Sequence, residues 1–192
     1  MPFVIVTPPS SAEPVTVAEA KEWLAIDSSD ATHDTIIAAH IKTARERIEE
    51  RTSRGLLAQT WDLFLTKFPD EITLKAPTQS VSAFTYTDTD GNVQSLTVTT
   101  DYLVDSNSEP TIIVPAFNKS WPNAREIPNS ISIRFVIGYT DAASVPEAIK
   151  SALKMIVAHS FENREETNEK KLTEIPSGVE ALLSPYRLHF TV

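Results

Sequence analysis

The run VSAFTYTDTDGNVQSLTVT, residues 81–99, decides the fold class of this 192-residue chain. Its two arms, 81–87 and 93–99, alternate β-branched or aromatic residues with polar ones, which is the period of a half-buried strand. The DTDGN segment at 88–92 separates the arms, and an Asp-Gly step between two such arms is typical of a hairpin. The run therefore predicts two antiparallel strands joined by a tight turn.

Further strands are predicted on both sides of this hairpin. The segments 61–65, 102–104, 111–114 and 131–137 are short, apolar or alternating, and separated by proline-containing linkers. Proline lacks a backbone donor, so its place between these segments agrees with strands that need every ladder hydrogen bond. Together with the hairpin they predict an antiparallel β segment of about six strands over 58–139.

Helices are predicted before and after the β segment. Thr16 and Glu19 have the spacing of a capping box, which predicts a first helix ending near residue 26. An apolar stripe at Ile37, Ile41 and Ile48 predicts a second helix over 31–54, with Gly55 as the left-handed residue that ends it. A third, long helix is expected after residue 146, and a short fourth one ends near 183. The predicted class is α+β: a small helical bundle of 1–57 and 140–192 with the β subdomain 58–139 inserted.

Composition excludes several kinds of function. The chain has no cysteine, four isolated glycines and a formal net charge of −9, with a pI near 4.9. It therefore offers no thiolate metal site and no glycine-rich phosphate loop. A nucleic-acid binder needs a basic surface, so the acidity, which is spread along the chain, argues against one. No membrane span is predicted, and synthesis without export is expected.

No group of residues has the spacing of a catalytic or metal site. The four histidines are isolated, and the aspartates of the DTDGN turn lack the glutamate that a calcium loop requires. Asp62, Asp70 and Glu71 could act as paired carboxylates, but charged strand ends are usually only solvated. We expect no catalytic residue, no metal and no cofactor.

Two features suggest contacts with other proteins. Arg45 and Arg54 belong to a helix face on which arginines alternate with glutamates such as Glu49, which indicates ion pairing within the helix or, alternatively, a subunit contact. Trp121, in a loop, and the Tyr186-Arg187 pair are residue types that often anchor interfaces. For Trp121 the competing interpretation is that it covers the edge of the sheet.

The sequence resembles the head–tail connector (adaptor) proteins of long-tailed bacteriophages, prophages and gene transfer agents. The runs that carry the resemblance lie, in chain order, at 14–24, 44–49, 52–54, 59–61, 68–69, 86–88, 91, 121–122, 138–139, 145–146, 149–150, 163–165 and 182–187. They span nearly the whole chain, and it is their order and spacing that are specific. Ser53, where the family often has Gly, and Phe161, where Tyr is common, depart from the pattern.

The resemblance implies a structural, non-enzymatic role at the head–tail junction of a virion, after synthesis in the bacterial cytoplasm. Such proteins form a ring of about a dozen copies beneath the portal protein, join it to the next neck (stopper) protein, and line the channel through which DNA passes. Their C-terminal segment docks on the portal, and the long helix is a natural ring contact. The residues that this assigns to portal docking are Leu182, Leu183, Tyr186, Arg187, Leu188 and Phe190. Those assigned to the ring interface are Arg45, Glu49, Arg54 and Trp121.

The acidic composition agrees with a channel that passes DNA without specific binding, because a basic bore would hold the phosphates. Two alternatives stay open on the sequence. One is a carbohydrate- or receptor-binding module on the β segment, centred on Trp121. The other is a hydrolase that uses carboxylates of the β segment.

Overall fold

The structure, a computed structural model, describes residues 3–9, 12–162 and 177–188. The chain divides into two compact units. One contains Leu57–Thr140 together with the N-terminal strand and Leu188, and the other contains the described parts of Ser11–Leu56 and Asp141–Arg187. The class is α+β, and each unit has a core of its own.

The described part of the β unit holds two antiparallel sheets. The strands are β1 Phe3–Thr7, β2 Gln59–Leu65, β3 Ile72–Leu74, β4 Thr78–Thr87, β5 Val93–Ser95, β6 Tyr102–Asp105, β7 Thr111–Pro115 and β8 Ile131–Ile137. The five-stranded sheet has the order β1-β2-β8-β4-β5, and the three-stranded sheet has the order β3-β7-β6.

The central strand β8 shows why this segment folds as a sheet. Its residues Ile131, Ile133, Phe135 and Ile137 are fully buried, while the residues between them are more exposed. Alternation of this kind places one face of the strand in the core. Around them pack the buried side chains of both sheets, which include Leu63, Ile72, Leu74, Phe84, Tyr102 and Ile113.

The predicted hairpin is formed by β4 and β5. Thr87 pairs with Val93, and Asp88 and Asn92 close the turn through the Asp88 N–H donating to the Asn92 carbonyl at 2.9 Å. The Asp88 carboxylate also accepts the backbone N–H of Asn92 at 2.8 Å. Gly91 has φ +95°, a conformation that glycine adopts at little cost.

The helical unit contains α1 Val17–Trp23, a 3-10 turn at Ala31–His33, α2 Asp34–Thr52, α3 Glu147–Glu162, α4 Ser177–Leu183 and a second 3-10 turn at Ser184–Tyr186. Helix α2 packs against α3, α3 against α4, and α1 against both α2 and α3. The apolar stripe of α2 is buried as predicted, since Ile37, Ile41, Ala44 and Ile48 are at most 1% exposed.

The structure corrects three predicted details. Residues 3–7, which lie in the part predicted to be helical, form β1 and pair with β2, and the described chain has eight strands where about six were expected. Helix α2 ends earlier than predicted: Ser53, with φ +57°, takes the left-handed position assigned to Gly55. The short apolar run at residues 3–6 is compatible with a strand, but the pairing that makes it one is with β2, more than fifty residues away.

Candidate interaction surfaces

The C-terminal segment predicted to dock on a portal is only partly accessible. Leu183 is fully buried and Leu188 is 9% exposed, so both serve the chain's own core. Leu182 and Tyr186 are half-buried, which leaves part of each side chain free for a partner. Phe190 lies outside the described residues.

Polar contacts fix the end of this segment to α2. The Arg54 guanidinium donates from Nε to the backbone carbonyl oxygen of Tyr186, and Arg54 is 5% exposed. Arg187 and Arg51 both pair with the carboxylate of Glu180 on α4. The C-terminal turn is therefore held on the helical unit by three arginines and one glutamate.

Arg45, assigned by the sequence to a ring interface, lies inside the helical unit. It is 5% exposed, and its guanidinium bonds to Glu13 and to Glu49, each at 2.7 Å. Burial disfavours the charged guanidinium, but the carboxylates of Glu49, Glu13 and Glu46 outweigh that penalty and raise the pKa of Arg45 above its ordinary value. In the single chain Arg45 therefore works as the cation of an internal network.

Glu49 links this network to the end of α2. Its Oε2 accepts from Arg45, and its Oε1 accepts the backbone N–H of Leu56 at 2.8 Å. The sequence indicated ion pairing on this helix face, but it could not identify Glu13, because that residue is 32 positions away from Arg45. The part of Arg45, Glu49 and Arg54 in a ring interface stays a prediction.

Trp121 is half-buried and packs over the core of the β unit. Its ring stacks on Phe68 with centroids 5.0 Å apart and planes 10° apart, and it also contacts Phe84. The Trp121 and Phe68 side chains line an open groove of about 520 Å³, whose other walls include Lys67, Lys119, Asp70 and Glu126. One face of the indole is thus used by the protein itself, which agrees with the interpretation of Trp121 as a cover for the sheet.

Asp62, one of the carboxylates considered for catalysis, is already paired with an arginine. Asp62 is 6% exposed, and Arg134 binds it in a bidentate manner with both distances at 2.8 Å. A carboxylate bound in this way is occupied by its partner. In the described residues, no group of three or more histidine, aspartate or glutamate side chains is arranged to hold a metal ion.

One surface was not recognised from the sequence. Strand β1 lies at the edge of the five-stranded sheet, and its Val4, Ile5 and Val6 are 42–50% exposed. The apolar run at residues 3–6 was a usable signal, since short apolar runs are compatible with strands. None of the described helices combines the length and the apolarity needed to cross a membrane.

Residues 122–187 match the family model described as phage gp6-like head-tail connector protein. Over these residues the predicted resemblance to head–tail connector proteins is confirmed. The matched segment runs from the loop before β8 through α3 and α4 to Arg187, so it includes the C-terminal turn that Arg54 holds in place. Among curated proteins, none matches the chain in sequence.

Solved structures show the same fold over the whole chain. A chain in the neck of an empty gene transfer agent (GTA) particle, computed with C6 symmetry, has a TM-score of 0.79 and 22% identity over 100% of this chain and 98% of that one. A chain in the neck of a native GTA particle, computed with C12 symmetry, has a TM-score of 0.75 and 24% identity with the same coverage. The family match and this shared fold support a structural role as a head–tail connector.

Proposed function

We propose that this protein is a structural, non-enzymatic component of a virion neck that forms a ring beneath a portal protein and joins it to the next neck protein. The proposal rests on the match to the connector family model. That match lies in a chain whose fold corresponds, over its whole length, to the fold of chains in GTA particle necks. A ring of about a dozen copies agrees with the C12 symmetry of one of those necks.

Ring formation needs two different faces on each copy, because only a heterologous contact closes into a ring of many subunits. Sedimentation velocity and electron microscopy of the purified chain, alone and mixed with portal protein, test the ring directly. We expect closed rings at least in the presence of portal. A chain that stays monomeric with portal present would contradict the proposal.

Portal docking is assigned to the accessible part of the C-terminal segment. Because Arg54 holds the Tyr186 carbonyl and Leu188 is buried, a chain shortened after Ser184 loses internal contacts as well as any docking contacts. A chain that stops after Leu188 keeps those contacts and removes only residues 189–192. We expect it to bind portal less tightly than the full chain, with urea denaturation of the two free chains as the control for stability.

A point variant separates docking from stability further. Tyr186→Ala removes a half-buried ring but leaves the backbone carbonyl that Arg54 binds. Portal co-sedimentation should fall for Tyr186→Ala, whereas it should be unchanged for Arg47→Ala, an exposed position on α2. If Tyr186→Ala and the chain that stops after Leu188 both bound portal as tightly as wild type, the assignment of portal docking to the C-terminal segment would be wrong.

The acidic chain is proposed to pass DNA without holding it. A surface with a net charge of −9 repels phosphates and offers little counterion release, which drives most sequence-independent DNA binding. A gel shift with duplex DNA at moderate salt should show no complex. Tight sequence-independent binding would show that the bore is basic and that this part of the proposal is wrong.

One observation favours a second function, binding of a carbohydrate or receptor at the Trp121 groove. The groove is lined by aromatic side chains and by four charged residues, which are features of sugar and peptide sites. The stack of Phe68 on Trp121 weakens this alternative, because it covers an aromatic face that a sugar would use. Binding of the chain to host cells or glycans that Trp121→Ala abolishes would establish it.

A further inference from the structure

Two arginines share one glutamate beside the C-terminal turn. Arg51, in the last turn of α2, and Arg187, directly after the turn Ser184–Tyr186, both contact the carboxylate of Glu180 on α4. Arg51 meets one oxygen of that carboxylate through Nε, and Arg187 meets the other through Nη2. Because neither guanidinium has a second carboxylate among the described residues, this Arg51–Glu180–Arg187 cluster carries one surplus positive charge.

The cluster is accessible and has hydrogen-bond donors that the chain does not use. The side chains of Arg51, Arg187 and Glu180 are 42%, 34% and 31% exposed. A guanidinium has five N–H donors, and each of these two arginines contacts Glu180 through one nitrogen. In the described part of the chain the Nε of Arg187 is buried without an acceptor. The internal contacts therefore leave the hydrogen-bonding capacity of the cluster unfilled.

Two half-buried side chains of the same C-terminal segment extend the surface. Leu182, on α4, and Tyr186, in the following turn, each keep part of their surface accessible. Both belong to the segment proposed above to dock on a portal. Tyrosine and arginine are enriched among the residues that contribute most to binding at protein interfaces. The cluster is thus continuous in sequence with the proposed docking surface and gives that surface a positive charge.

We propose that the Arg51–Glu180–Arg187 cluster binds an acidic segment of the portal protein, with a carboxylate of that segment bridging the two guanidinium groups. The inference rests on the proposed portal docking and names the chemistry of the partner's segment. The planar N–H groups of arginine match the two oxygens of a carboxylate. Two arginines around a single internal carboxylate are therefore complementary to a second carboxylate, which a partner can supply.

The same cluster is a poor site for duplex DNA. Sequence-independent DNA binding needs many phosphate contacts, and two arginines neutralise only about two phosphates. The net charge of −9 on the chain repels the remaining phosphates of a duplex. A protein segment, in contrast, can cover Leu182 and Tyr186 while its carboxylate meets the arginines.

Two matched charge reversals test the proposal. Arg51→Glu puts a second negative charge beside Glu180. Lys42→Glu makes the same change of charge at an exposed position of α2 that is about two and a half turns earlier and so on the opposite face. In sedimentation titrations we expect portal affinity to fall about tenfold or more for Arg51→Glu, and less than about twofold for Lys42→Glu. Added salt should weaken wild-type binding.

Arg51→Lys keeps the charge and allows the partner's carboxylate to be identified. A carbodiimide couples a lysine amine to a carboxylate in direct contact, and mass spectrometry of the product identifies both residues. We expect coupling to Glu180 in the free variant, and additional coupling to an aspartate or glutamate of the portal in the complex. Coupling to a second copy of this chain, or to Glu180 alone in the portal complex, would overturn the inference.

The outcomes separate this inference from the proposed function. If Arg51→Glu and Lys42→Glu bound portal equally well, the acidic-segment inference would be wrong and portal docking would stand. Duplex DNA that binds wild type but not Arg51→Glu would show a phosphate site instead and overturn the inference. Wild-type chain that does not bind portal would overturn both. The melting temperature of each free variant is the control for folding, and the coupling of Arg51→Lys decides the question if Arg51→Glu does not fold.

Discussion

The guanidinium of Arg54 donates to the backbone carbonyl oxygen of Tyr186, which lies 132 residues further along the chain. This bond joins the residue just past the end of α2 to the turn that follows α4. It fixes where the C-terminal segment leaves the helical unit. The same bond therefore contributes to stability and positions the residues proposed to meet a portal.

Removal of the Arg54 side chain should loosen that turn. Arg54→Ala loses a charge-assisted hydrogen bond and leaves a carbonyl without its partner, at a cost of about 1.5–3 kcal/mol in the free energy of unfolding. Urea denaturation measures the loss, and amide hydrogen exchange at residues 186–188 should accelerate locally. Arg47→Ala, on the exposed face of α2, should change neither quantity. Equal behaviour of the two variants would show that the bond does not hold the turn.

Arg45 should matter more than its neighbours on α2. Arg45→Met leaves Glu13 and Glu49 side by side without their shared cation, and loss of one member of a buried ion pair typically costs about 3–5 kcal/mol. We expect a clear fall in melting temperature, and Lys42→Met, at an exposed position, should have almost no effect.

Arg45 variants also test its predicted role in the ring. If Arg45→Met kept the wild-type melting temperature but prevented ring assembly, the residue would be a subunit contact rather than part of an internal network. A double-mutant cycle with Glu13→Gln isolates the interaction free energy between Arg45 and Glu13.

The capping box of α1 should give stability that disappears in acid. Glu19 accepts from the Thr16 backbone N–H and from the Thr16 hydroxyl, each at 2.7 Å, and these bonds, the backbone one first, lower the pKa of Glu19. A lowered pKa means that the folded state holds the ionised form. Its contribution is complete above the ordinary glutamate pKa of about 4.3 and is lost as the pH falls through the folded value.

The free energy of unfolding, measured between pH 5 and pH 3, tests whether stability is lost as the pH falls. Wild type should lose slightly more stability over that range than Glu19→Gln, and the difference is small because the carboxylate is largely exposed. Glu22→Gln, at an exposed position on the same helix, serves as the control and should follow wild type. At pH 7, Thr16→Ala should cost about 1 kcal/mol, the usual value for loss of an N-cap.

Gly138 should not tolerate a side chain. It has φ +109°, and a Cβ built on it would lie 2.1 Å from the carbonyl oxygen of Leu57, which is backbone and cannot rotate away. We expect Gly138→Ala to destabilise the β unit by about 3 kcal/mol or more, measured by urea denaturation.

Gly178 provides the matched glycine control. A Cβ there would meet the end of the flexible Met155 side chain at 3.0 Å, and alanine is the better helix former. Gly178→Ala should therefore change stability by less than about 1 kcal/mol. Similar losses for Gly138→Ala and Gly178→Ala would show that the Leu57 contact is not the cause.

Local sequence patterns were sufficient to predict the elements whose contacts join residues close together in the sequence. The Thr16–Glu19 capping box, the buried stripe of α2 and the 88–92 turn all involve residues within a few positions of one another, and each is present in the structure. Their signals are short-range because helix caps, helical periodicity and tight turns are set by adjacent backbone geometry.

Tertiary structure decided what depends on distant partners. Strand β1 forms because β2 offers it a ladder of hydrogen bonds, and the buried Arg45 and Arg54 are paired with Glu13 and the Tyr186 carbonyl, which lie far away in the sequence. Ser53, and not Gly55, takes the left-handed conformation at the end of α2. The sequence by itself determined the α+β class, the main elements and the connector resemblance. Only the folded structure decided which charged side chains are buried in internal ion pairs and which surfaces remain accessible to partners. The reason is that burial and ion pairing depend on contacts between residues far apart in sequence.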